Sequence, residues 1–411
     1  MIARLRGALA LLAVAALAAC SAGSGQGAAP TAPTPSAPAT ANAAGASAPA
    51  TGKAAVNVYA QAGAGMLNAV TRRAKPLVYV PDLGSNRVDV IDPKTFRVVE
   101  QFPVPAQPQH VVPSWDMKTL WVNDNKGNML TPVDAATGRP GRSVPVDDPY
   151  NLYFSPDGKH AIVMAEARER IDFRDPHTMK LQHSLHVPCR GVNHADFTAD
   201  LTTFLVSCEY SGKLLVIPAD GSKVTSVIDL NAISTPGATD AMTAMHGGGP
   251  AMYIEPGTTA MPQDVRLVPD GSTFVSADML RNGLWLVDAT TFKVKGFLPT
   301  GKGAHGVYPS RDGSLLYVSN RDEGSISVVD AGTLKVRTLW RLPGGGSPDM
   351  GGVTADGSQL WLSGRSNAVV YVIDTASGRL LKKIAVGLQP HGLAVWPQPG
   401  RFSLGHTGNT R

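Results

Sequence analysis

Cysteine, aromatic side chains and charged side chains are all scarce in this sequence. Its 411 residues include three cysteines, 6% aromatic residues and 17% charged residues, against 43 glycines and 32 prolines. The C-x-x-C-H motif is absent, which argues against covalent c-type haem, and P-loop, zincin and serine-nucleophile motifs are absent as well. The abundance of turn-forming residues is typical of an all-β protein.

The charge balance is small. The formal net charge is +5, and it falls to +3, with 35 basic and 32 acidic residues, when Arg4 and Arg6 of the expected signal segment are left out. A balance this close to neutral gives little support to nucleic acid as a partner, and we expect none.

The N-terminal residues have the pattern of an export signal. Met1–Ala19 combines a basic start, a hydrophobic run and small residues before Cys20. The ending Leu17-Ala18-Ala19-Cys20 resembles the lipobox of bacterial lipoproteins, which implies cleavage before Cys20 and a lipid on its sulfur. We therefore expect an exported protein that is lipid-anchored on the periplasmic side of the bacterial cell envelope and does not span the membrane. The alternative is a plain signal peptide followed by an incidental cysteine.

Two short segments separate this signal from the main domain. Residues 20–53 consist mostly of alanine, proline, serine, threonine and glycine without any acidic residue, and they predict a disordered tether. Residues 54–75 are ambiguous, and we interpret them as a lead-in segment packed on the outside of the domain. Residues 76–411 form the domain itself.

A repeat of about 42 residues organises this domain. Its clearest copy, residues 303–336, reads as four short strands joined by Asp-Gly and Asp-x-x-Thr turns, which predicts an antiparallel meander. The aspartate of the first turn recurs with gaps of 41, 43, 70, 42 and 44 residues, at Asp116, Asp157, Asp200, Asp270, Asp312 and Asp356. This period is that of a four-stranded propeller blade, and the second strand recurs seven times.

The two ends of the repeat array predict how it closes. The first unit lacks an innermost strand before Leu77, and the last unit is followed by an extra strand at Pro390–Val395. The sequence therefore predicts a seven-bladed β-propeller in which a C-terminal strand completes the first blade, with Phe402–Asn409 beside that seam. We expect the propeller to be monomeric.

The repeat also carries a family resemblance. Tyr317-Val318-Ser319-Asn320 and Val328-Val329-Asp330, with the flanking Asp-Gly turns, resemble YVTN-type β-propellers, and the likeness runs from about Pro76 to Pro397. That superfamily includes lactonase-like propellers and the haem d1 domain of cytochrome cd-type nitrite reductase. The resemblance implies the propeller fold. It also makes any of four histidines a candidate ligand of a haem d1-like cofactor: His110, His194, His305 and His391.

Cys189 and Cys208 are the cysteines that remain beyond Cys20, and they stand in an expected oxidising compartment. If residues 192–197 and 204–207 form a hairpin, both cysteines lie at its open end. A disulfide and two free buried thiols are both compatible with this sequence.

Histidine recurs at the start of the innermost strands, where side chains line the mouth of a propeller's channel. In chain order the seven positions hold His110, Asn151, His194, Asp264, His305, Asp349-Met350 and His391. Imidazoles that converge with carboxylates suit Zn, Cu or Fe, or general acid–base chemistry, and the alternative is a polar lining for a water-filled channel. Because neighbours across a seven-fold channel are expected to lie too far apart for one ion, a haem-sized or bridged ligand is favoured.

The 70-residue gap marks an insertion of about 28 residues within Asn231–Ala260, on the same face as the histidines. It contains Met242, Met245 and His246, and thioether with imidazole ligands favours copper, particularly Cu(I). The alternative is a flexible loop whose methionines pack on the propeller rim.

Basic residues lie in the loops that join the second and third strands, again on this face: Arg87, Lys126, Arg168, Arg170, Lys213, Arg281, Arg321 and Arg365. A ring of such groups would attract an anionic ligand, and Arg281 and Arg321 are candidates for binding the carboxylates of a cofactor. Acidic residues alternate with them, so local salt bridges are the preferred interpretation.

The leading functional hypothesis is a lipid-anchored propeller whose His/Asp/Met-lined channel binds copper or a haem d1-like cofactor for redox or metal handling. Redox or metal-handling proteins would be its partners. The alternatives are a non-catalytic scaffold that binds a protein or ligand, and a lactonase-like hydrolase. The sequence assigns no catalytic residue.

Overall fold

The computed structural model describes residues 57–235 and 254–411. The predicted signal, Cys20 and the tether lie outside these residues, as does most of the insertion. Within the two described ranges no helix has the length and apolar character needed to cross a membrane. The helical elements there are single 3-10 turns: Thr71–Arg73, Glu166–Arg168, Glu209–Ser211 and His406–Gly408.

Seven antiparallel sheets, one for each repeat, make up the described part of the chain, which confirms the predicted seven-bladed β-propeller. Blades 1 to 3 contain β1 (Leu77–Asp82), β2 (Arg87–Asp92), β3 (Arg97–Pro103); β4 (Pro108–Pro113), β5 (Thr119–Asp124), β6 (Met129–Asp134), β7 (Val144–Pro145); β8 (Pro149–Phe154), β9 (Ala161–Ala165), β10 (Arg170–Arg174), β11 (Leu181–His186). Blades 4 and 5 contain β12 (Val192–Phe197), β13 (Thr203–Cys208), β14 (Lys213–Pro218), β15 (Ser226–Asp229); β16 (Pro262–Leu267), β17 (Thr273–Asp278), β18 (Gly283–Asp288), β19 (Val294–Pro299). Blades 6 and 7 contain β20 (Ala304–Pro309), β21 (Leu315–Asn320), β22 (Ser325–Asp330), β23 (Lys335–Arg341); β24 (Pro348–Val353), β25 (Gln359–Gly364), β26 (Val369–Asp374), β27 (Leu380–Ala385). The C-terminal strands are β28 (Ala394–Trp396), β29 (Ser403–Gly405) and β30 (Asn409–Thr410).

Burial along each blade explains the composition of its strands. The inner strands, such as β4 and β24, are buried along their whole length, whereas the outermost strands, such as β11 and β23, are largely exposed. Strands covered by neighbouring sheets on both faces read as nearly continuous apolar runs, and outer strands do not. The recurring Asp-x-x-Thr turn is closed by its own side chains: Asp330 Oδ1 accepts hydrogen bonds from the Thr333 amide and hydroxyl at 2.7 and 2.9 Å.

The hydrophobic core lies between the blades rather than at the centre. Each neighbouring pair of blades shares one cluster of buried apolar side chains, and seven such clusters join the seven blades. The cluster between blades 7 and 1 combines Trp361 and Val370 with Val78 and Val395. The ring is therefore closed by packing as well as by strand pairing.

The predicted seam in blade 1 is confirmed. β28 pairs antiparallel with β1 and gives that sheet the order β28-β1-β2-β3. The regular strand begins at Ala394 rather than Pro390, because the preceding residues bend along the channel. A single bridge there joins Pro390 to Asp82. Closure of this kind leaves no free inner edge on the first blade.

The C-terminal segment meets that seam only in part: its 3-10 turn contacts β28, but its two strands join blade 3, and for these strands the prediction was wrong. β29 pairs with β8 of blade 3 at Gly405 and Tyr153, and β30 extends the same sheet. The segment continues towards blade 4, where the Arg411 guanidinium donates to Asp196 at 2.9 Å. The sequence pattern could not reveal this path, because the segment belongs to no repeat.

Residues 57–74 lie across the face formed by the turns between the first and second strands. The Val58 amide donates to the Pro269 carbonyl, and the Gly65 amide donates to the Ala355 carbonyl. Asn68 donates to the Gly400 carbonyl, so this segment meets the C-terminal residues on the same face. The described lead-in segment therefore packs on the outside of the blades, on the face opposite to the histidines.

Cys189 and Cys208 form a disulfide, with their Cα atoms 6.0 Å apart. Pairing of β12 with β13 sets Val192 opposite Cys208, so the cysteines meet at the open end of that hairpin as the sequence suggested.

Candidate functional site

A bulge at the start of the innermost strands presents the site residues to the channel. In β4, β12, β16, β20 and β24, one extra residue interrupts the pairing with the second strand. The residues in these bulges include His110, His194, Asp264, His305 and Asp349. A β-bulge redirects a side chain that regular alternation would send elsewhere, and β8 has one as well, so the repeat places a bulge in six blades.

The four histidines of these starting positions converge in the channel. Ring centroids are 4.7 Å apart for His110 and His391, 5.9 Å for His391 and His305, 6.3 Å for His305 and His194, and 5.8 Å for His194 and His110. Each side chain is at most 2% exposed. They form a closed square of imidazoles, which is far tighter than the spacing expected from the sequence.

A fifth imidazole, that of His406, enters this square from the C-terminal segment. Its ring centroid lies 4.3 Å from that of His110 and 4.8 Å from that of His194. One ligand nitrogen from each of His110, His194 and His406 lies within 4.8 Å of the other two. We call these three residues the three-histidine group, and all five the histidine cluster. Sequence reasoning missed His406 because it lies beyond the repeats, and its only signal was a histidine between two glycines.

Asp349 is the carboxylate that organises the other side of the cluster. Its Oδ2 accepts a hydrogen bond from His391 Nδ1 at 2.8 Å, and its Oδ1 accepts two from Arg321 at 2.6 and 2.9 Å. Arg321 also donates to His305 Nε2 at 2.5 Å, which leaves the proton of that neutral ring on Nδ1. His305 Nδ1 lies 3.2 Å from Asp349 without the angle of a hydrogen bond, so this contact is electrostatic. Both nitrogens of His305 are thus engaged by Asp349 and Arg321 rather than by the other imidazoles.

The remaining imidazoles keep nitrogen atoms without partners. His194 Nδ1 lies 3.0 Å from the Asn193 amide oxygen, an acceptor that fixes the proton on Nδ1. Among the described residues, no hydrogen-bond partner reaches the buried Nε2 atoms of His194, His391 and His406, or either ring nitrogen of His110. Buried polar atoms in folded proteins rarely lack a partner, and each such atom calls for an explanation.

Burial sets the protonation of the cluster. It lowers the pKa of His391 to about 4 and holds the pKa values of His110, His194, His305 and His406 well below the usual value. Neighbouring histidines and arginines lower these pKa values further, and the charge of Asp349 opposes this for all of them except His406. Burial alone would raise the pKa of Asp349, but Arg321 and its two histidine neighbours hold it well below the usual range. At neutral pH the cluster therefore combines neutral imidazoles with one ionised carboxylate.

The other predicted site residues have other partners. Asp264 accepts hydrogen bonds from the Val307 amide and from Arg266. Arg281 donates to Thr259 at 2.7 Å and to Thr235 at 3.4 Å, both on the flanks of the insertion. Met242, Met245 and His246 lie outside the described residues, and the copper prediction that rests on them stays a prediction.

Most of the predicted basic ring is neutralised locally, as the sequence favoured. Arg87 pairs with Asp89, Arg170 with Asp172, and Lys213 with Glu255. Arg168 pairs with Asp147 and Arg321 with Asp349.

Comparison with known proteins agrees with this fold. Residues 287–399 match the family model of the YNCE-like β-propeller. An uncharacterized protein named YncE from Salmonella typhi is 28% identical over 146 residues, which is 34% of this chain and 40% of that protein. The protein of the same name from Salmonella typhimurium gives the same values. The chain thus spans 40% of the length of the curated relatives it matches.

Solved structures extend the likeness to most of the chain. A functionally unknown protein from Desulfotomaculum acetoxidans aligns with a TM-score of 0.60 at 15% identity, covering 79% of this chain and 100% of that one. The dihydro-haem d1 dehydrogenase NirN, solved in complex with DHE, aligns with a TM-score of 0.55 at 16% identity, covering 80% and 78%. In fold, this chain is a seven-bladed β-propeller that is similar to YNCE-like propellers over residues 287–399. Sequence identities this low are evidence for the fold but not for the activity.

Proposed function

We propose that this propeller binds one transition-metal ion through His110, His194 and His406. The observation that carries the proposal is the group of three buried imidazoles whose ligand atoms lie within 4.8 Å of one another. Both ring nitrogens of His110 and the Nε2 atoms of His194 and His406 lack hydrogen-bond partners among the described residues, and a metal ion would satisfy one nitrogen of each ring. His391, whose ring lies 4.7 Å from that of His110, is the candidate for a fourth ligand.

The protonation of the cluster supports this proposal. A metal ion needs the neutral imidazole, and burial keeps the pKa values of these histidines low enough for the neutral form at pH 7. Asn193 and Asp349 hold the Nδ1 protons of His194 and His391, which directs the Nε2 lone pairs inwards. Such outer partners commonly orient histidine ligands, and an all-imidazole set suits Zn, Cu, Ni or Fe.

Binding requires the three-histidine group to contract. With bonds of about 2.0 Å, ligand nitrogens in a tetrahedral site lie roughly 3.3 Å apart, so each imidazole has to move inwards by about 1 Å.

A haem does not fit among these histidines as they stand. The ring of His110 lies 4.3 and 4.7 Å from those of His406 and His391, which leaves no gap as wide as a macrocycle inside the cluster. The likeness to NirN therefore supports the fold, and a bare ion is the better match for the ligand set.

The cellular role follows from the sequence as a further part of the proposal. An export signal with lipid on Cys20 would tether the domain at the periplasmic side of the cell envelope, for metal handling or redox work with proteins of the same compartment. The disulfide between Cys189 and Cys208 is compatible with an oxidising compartment.

Metal titration of the purified full-length protein tests the proposal. After chelator treatment we expect one equivalent of Cu(II), Zn(II) or Co(II) to bind, with Co(II) giving the visible bands of imidazole coordination. His406→Ala should weaken binding about tenfold or more, whereas His177→Ala, an exposed histidine on a turn of blade 3, should bind like the wild type. Absence of a stoichiometric ion, or equal binding by the His406→Ala variant, would overturn the proposal and favour a non-catalytic scaffold.

A further inference from the structure

The residue that follows the second strand of each blade stands at the mouth of the channel, between the buried histidines and solvent. In chain order these residues are Leu83, Asn125, Glu166, Glu209, Met279, Arg321 and Arg365. The four charged ones are partly exposed, whereas the histidines are buried. Glu166 and Glu209 belong to blades 3 and 4, and Arg321 and Arg365 belong to blades 6 and 7. The mouth therefore has an acidic side and a basic side.

The repeat explains why the two arginines differ. Arg321 reaches the first residues of the next blade, where it pairs with Asp349 at 2.6 Å. Arg365 occupies the same position one blade later, and the residue equivalent to Asp349 in its neighbour is His391 instead. Pro348 and Pro390, which precede these two residues, pair with the ends of β25 and β1 and confirm the equivalence. A neutral imidazole cannot neutralise a guanidinium group.

Within the described part of the chain the Arg365 guanidinium accordingly forms no ion pair, although the charges of Asp349 and Glu209 oppose the lowering of its pKa by burial. Its Nη1 is buried and has no hydrogen-bond partner among residues 57–235 and 254–411. Its backbone is fixed by the amide, which donates to the Ser347 carbonyl at 3.1 Å. Its charge lowers the pKa of both His391 and His110. A buried guanidinium nitrogen without a hydrogen-bond partner is suited to bind an anion.

Glu166, on the acidic side of the mouth, also has a buried atom without a hydrogen-bond partner among the described residues. Its Oε1 is buried and without a partner in the described part of the chain, whereas Glu209 accepts a hydrogen bond from Asn193 at 2.8 Å. Burial raises the pKa of Glu166, the charges of Glu209 and Asp148 add to this, and Lys126 and Arg365 oppose it. Arg365 and Glu166 thus influence each other across the mouth without forming an ion pair.

The geometry points to a small hydroxycarboxylic acid as the ligand of this mouth. Its carboxylate would take the two parallel hydrogen bonds that a guanidinium group offers, at Arg365. Its hydroxyl would meet Glu166, because a hydroxyl can donate to a carboxylate or accept from a carboxylic acid. Tyr150, whose ring lies 5.4 Å from that of His110, would form the floor below the ligand. This site goes beyond metal binding and does not require the ion.

Calorimetric titration of the full-length, chelator-treated protein with glycolate, acetate and glycine tests the assignment. We expect saturable binding of glycolate, with acetate and glycine several-fold weaker. Arg365→Gln should weaken glycolate binding about tenfold or more. Arg365→Lys should recover part of the loss, because lysine keeps the positive charge but lacks the two parallel N–H donors of a guanidinium group. Glu166→Ala should bring glycolate down to the affinity of acetate.

The control is Arg168→Gln, an exposed arginine on the same face that pairs with Asp147. It should bind glycolate like the wild type. Far-UV circular dichroism and thermal unfolding of every variant separate lost binding from lost fold. No saturable binding of glycolate to the wild type, or unchanged binding by Arg365→Gln, would overturn the inference. Equal affinity for acetate and glycolate, or a preference for glycine, would overturn the assignment to hydroxy acids.

Discussion

Gly392 and His110 meet where the innermost strands of blades 1 and 2 touch inside the channel. The Gly392 amide donates to the Gln109 carbonyl, and the Val111 amide donates to the Gly392 carbonyl, both at 2.9 Å. A Cβ at Gly392 would lie 1.9 Å from His110 Nδ1. The position of this imidazole therefore depends on the absence of a side chain in the neighbouring blade.

At this scale we predict that Gly392→Ala displaces His110. Overpacking of a filled interior costs about 1–3 kcal/mol, and metal affinity should fall with the lost ligand geometry. Gly352→Ala is the matched control, because its Cβ would lie 3.8 Å from Val395 in ordinary contact. Urea unfolding and metal titration of both variants provide the measurement, and equal behaviour of the two would contradict the prediction.

Among the elements, the seam blade contains a second feature that depends on burial. Asp82 at the end of β1 is fully buried, and neither of its carboxylate oxygens has a hydrogen-bond partner among the described residues. Burial raises the pKa of Asp82 to about 8, with the charge of Asp89 adding to this and that of Arg87 opposing it. The folded protein thus retains a proton that the unfolded chain releases near pH 4.

This difference in proton binding determines how the free energy of unfolding changes with pH. Between about pH 4 and 8 the folded state binds more protons than the unfolded state, so the free energy of unfolding should fall as the pH rises through this range. Asp82→Asn, which stays neutral, should flatten this fall and stabilise the protein at pH 8 by about 1 kcal/mol or more. Asp270→Asn, on an exposed turn, serves as the control. Urea unfolding at pH 5, 6.5 and 8 provides the measurement. A parallel decline of the free energy of unfolding in wild type and Asp82→Asn would refute the prediction.

For the whole molecule, two C-terminal pieces have separate tasks. β28 closes the ring by pairing with β1, whereas residues 402–411 supply His406 and pair with blade 3. Leu404 in the second piece is fully buried in the core between blades 3 and 4. Closure of the ring and completion of the proposed metal site are thus assigned to different segments of one C-terminal stretch.

Truncation can separate these tasks. Removal of residues 402–411 should preserve the β-sheet circular dichroism but lower stability by at least about 2 kcal/mol and abolish stoichiometric metal binding. Removal of residues 394–411, which also deletes β28, should prevent folding to a soluble monomer, because β1 then becomes an exposed inner edge. Size-exclusion chromatography and metal titration report the outcome, and aggregation of the shorter deletion would show that the two tasks are not separable.

The sequence predicted most of the fold because each repeat shows the same pattern of strands and turns. The recurring Asp-Gly and Asp-x-x-Thr turns marked seven units, and the missing strand before Leu77 marked the seam. The boundaries of the closing strand were less accurate, since Pro390 and His391 follow the channel rather than the ladder. The path of residues 402–411 was wrong, because a segment outside the repeat carries no periodic signal.

Of the candidate site, the sequence by itself determined which residue type recurs at the mouth of the channel: four histidines and Asp349 at equivalent starts of successive blades. The tertiary structure alone decided which of their nitrogens remain free, because that depends on contacts between blades. It engages His305 with Arg321, turns His391 towards Asp349, and gives Arg365 no ion-pair partner among the described residues. It also brings in His406, whose ring packs against those of His110 and His194 although it is more than 200 residues from His194 in the chain. The periodic sequence determines which side chain each blade places in the channel. Which other side chains it contacts there depends on closure of the ring and on the path of the C-terminal segment.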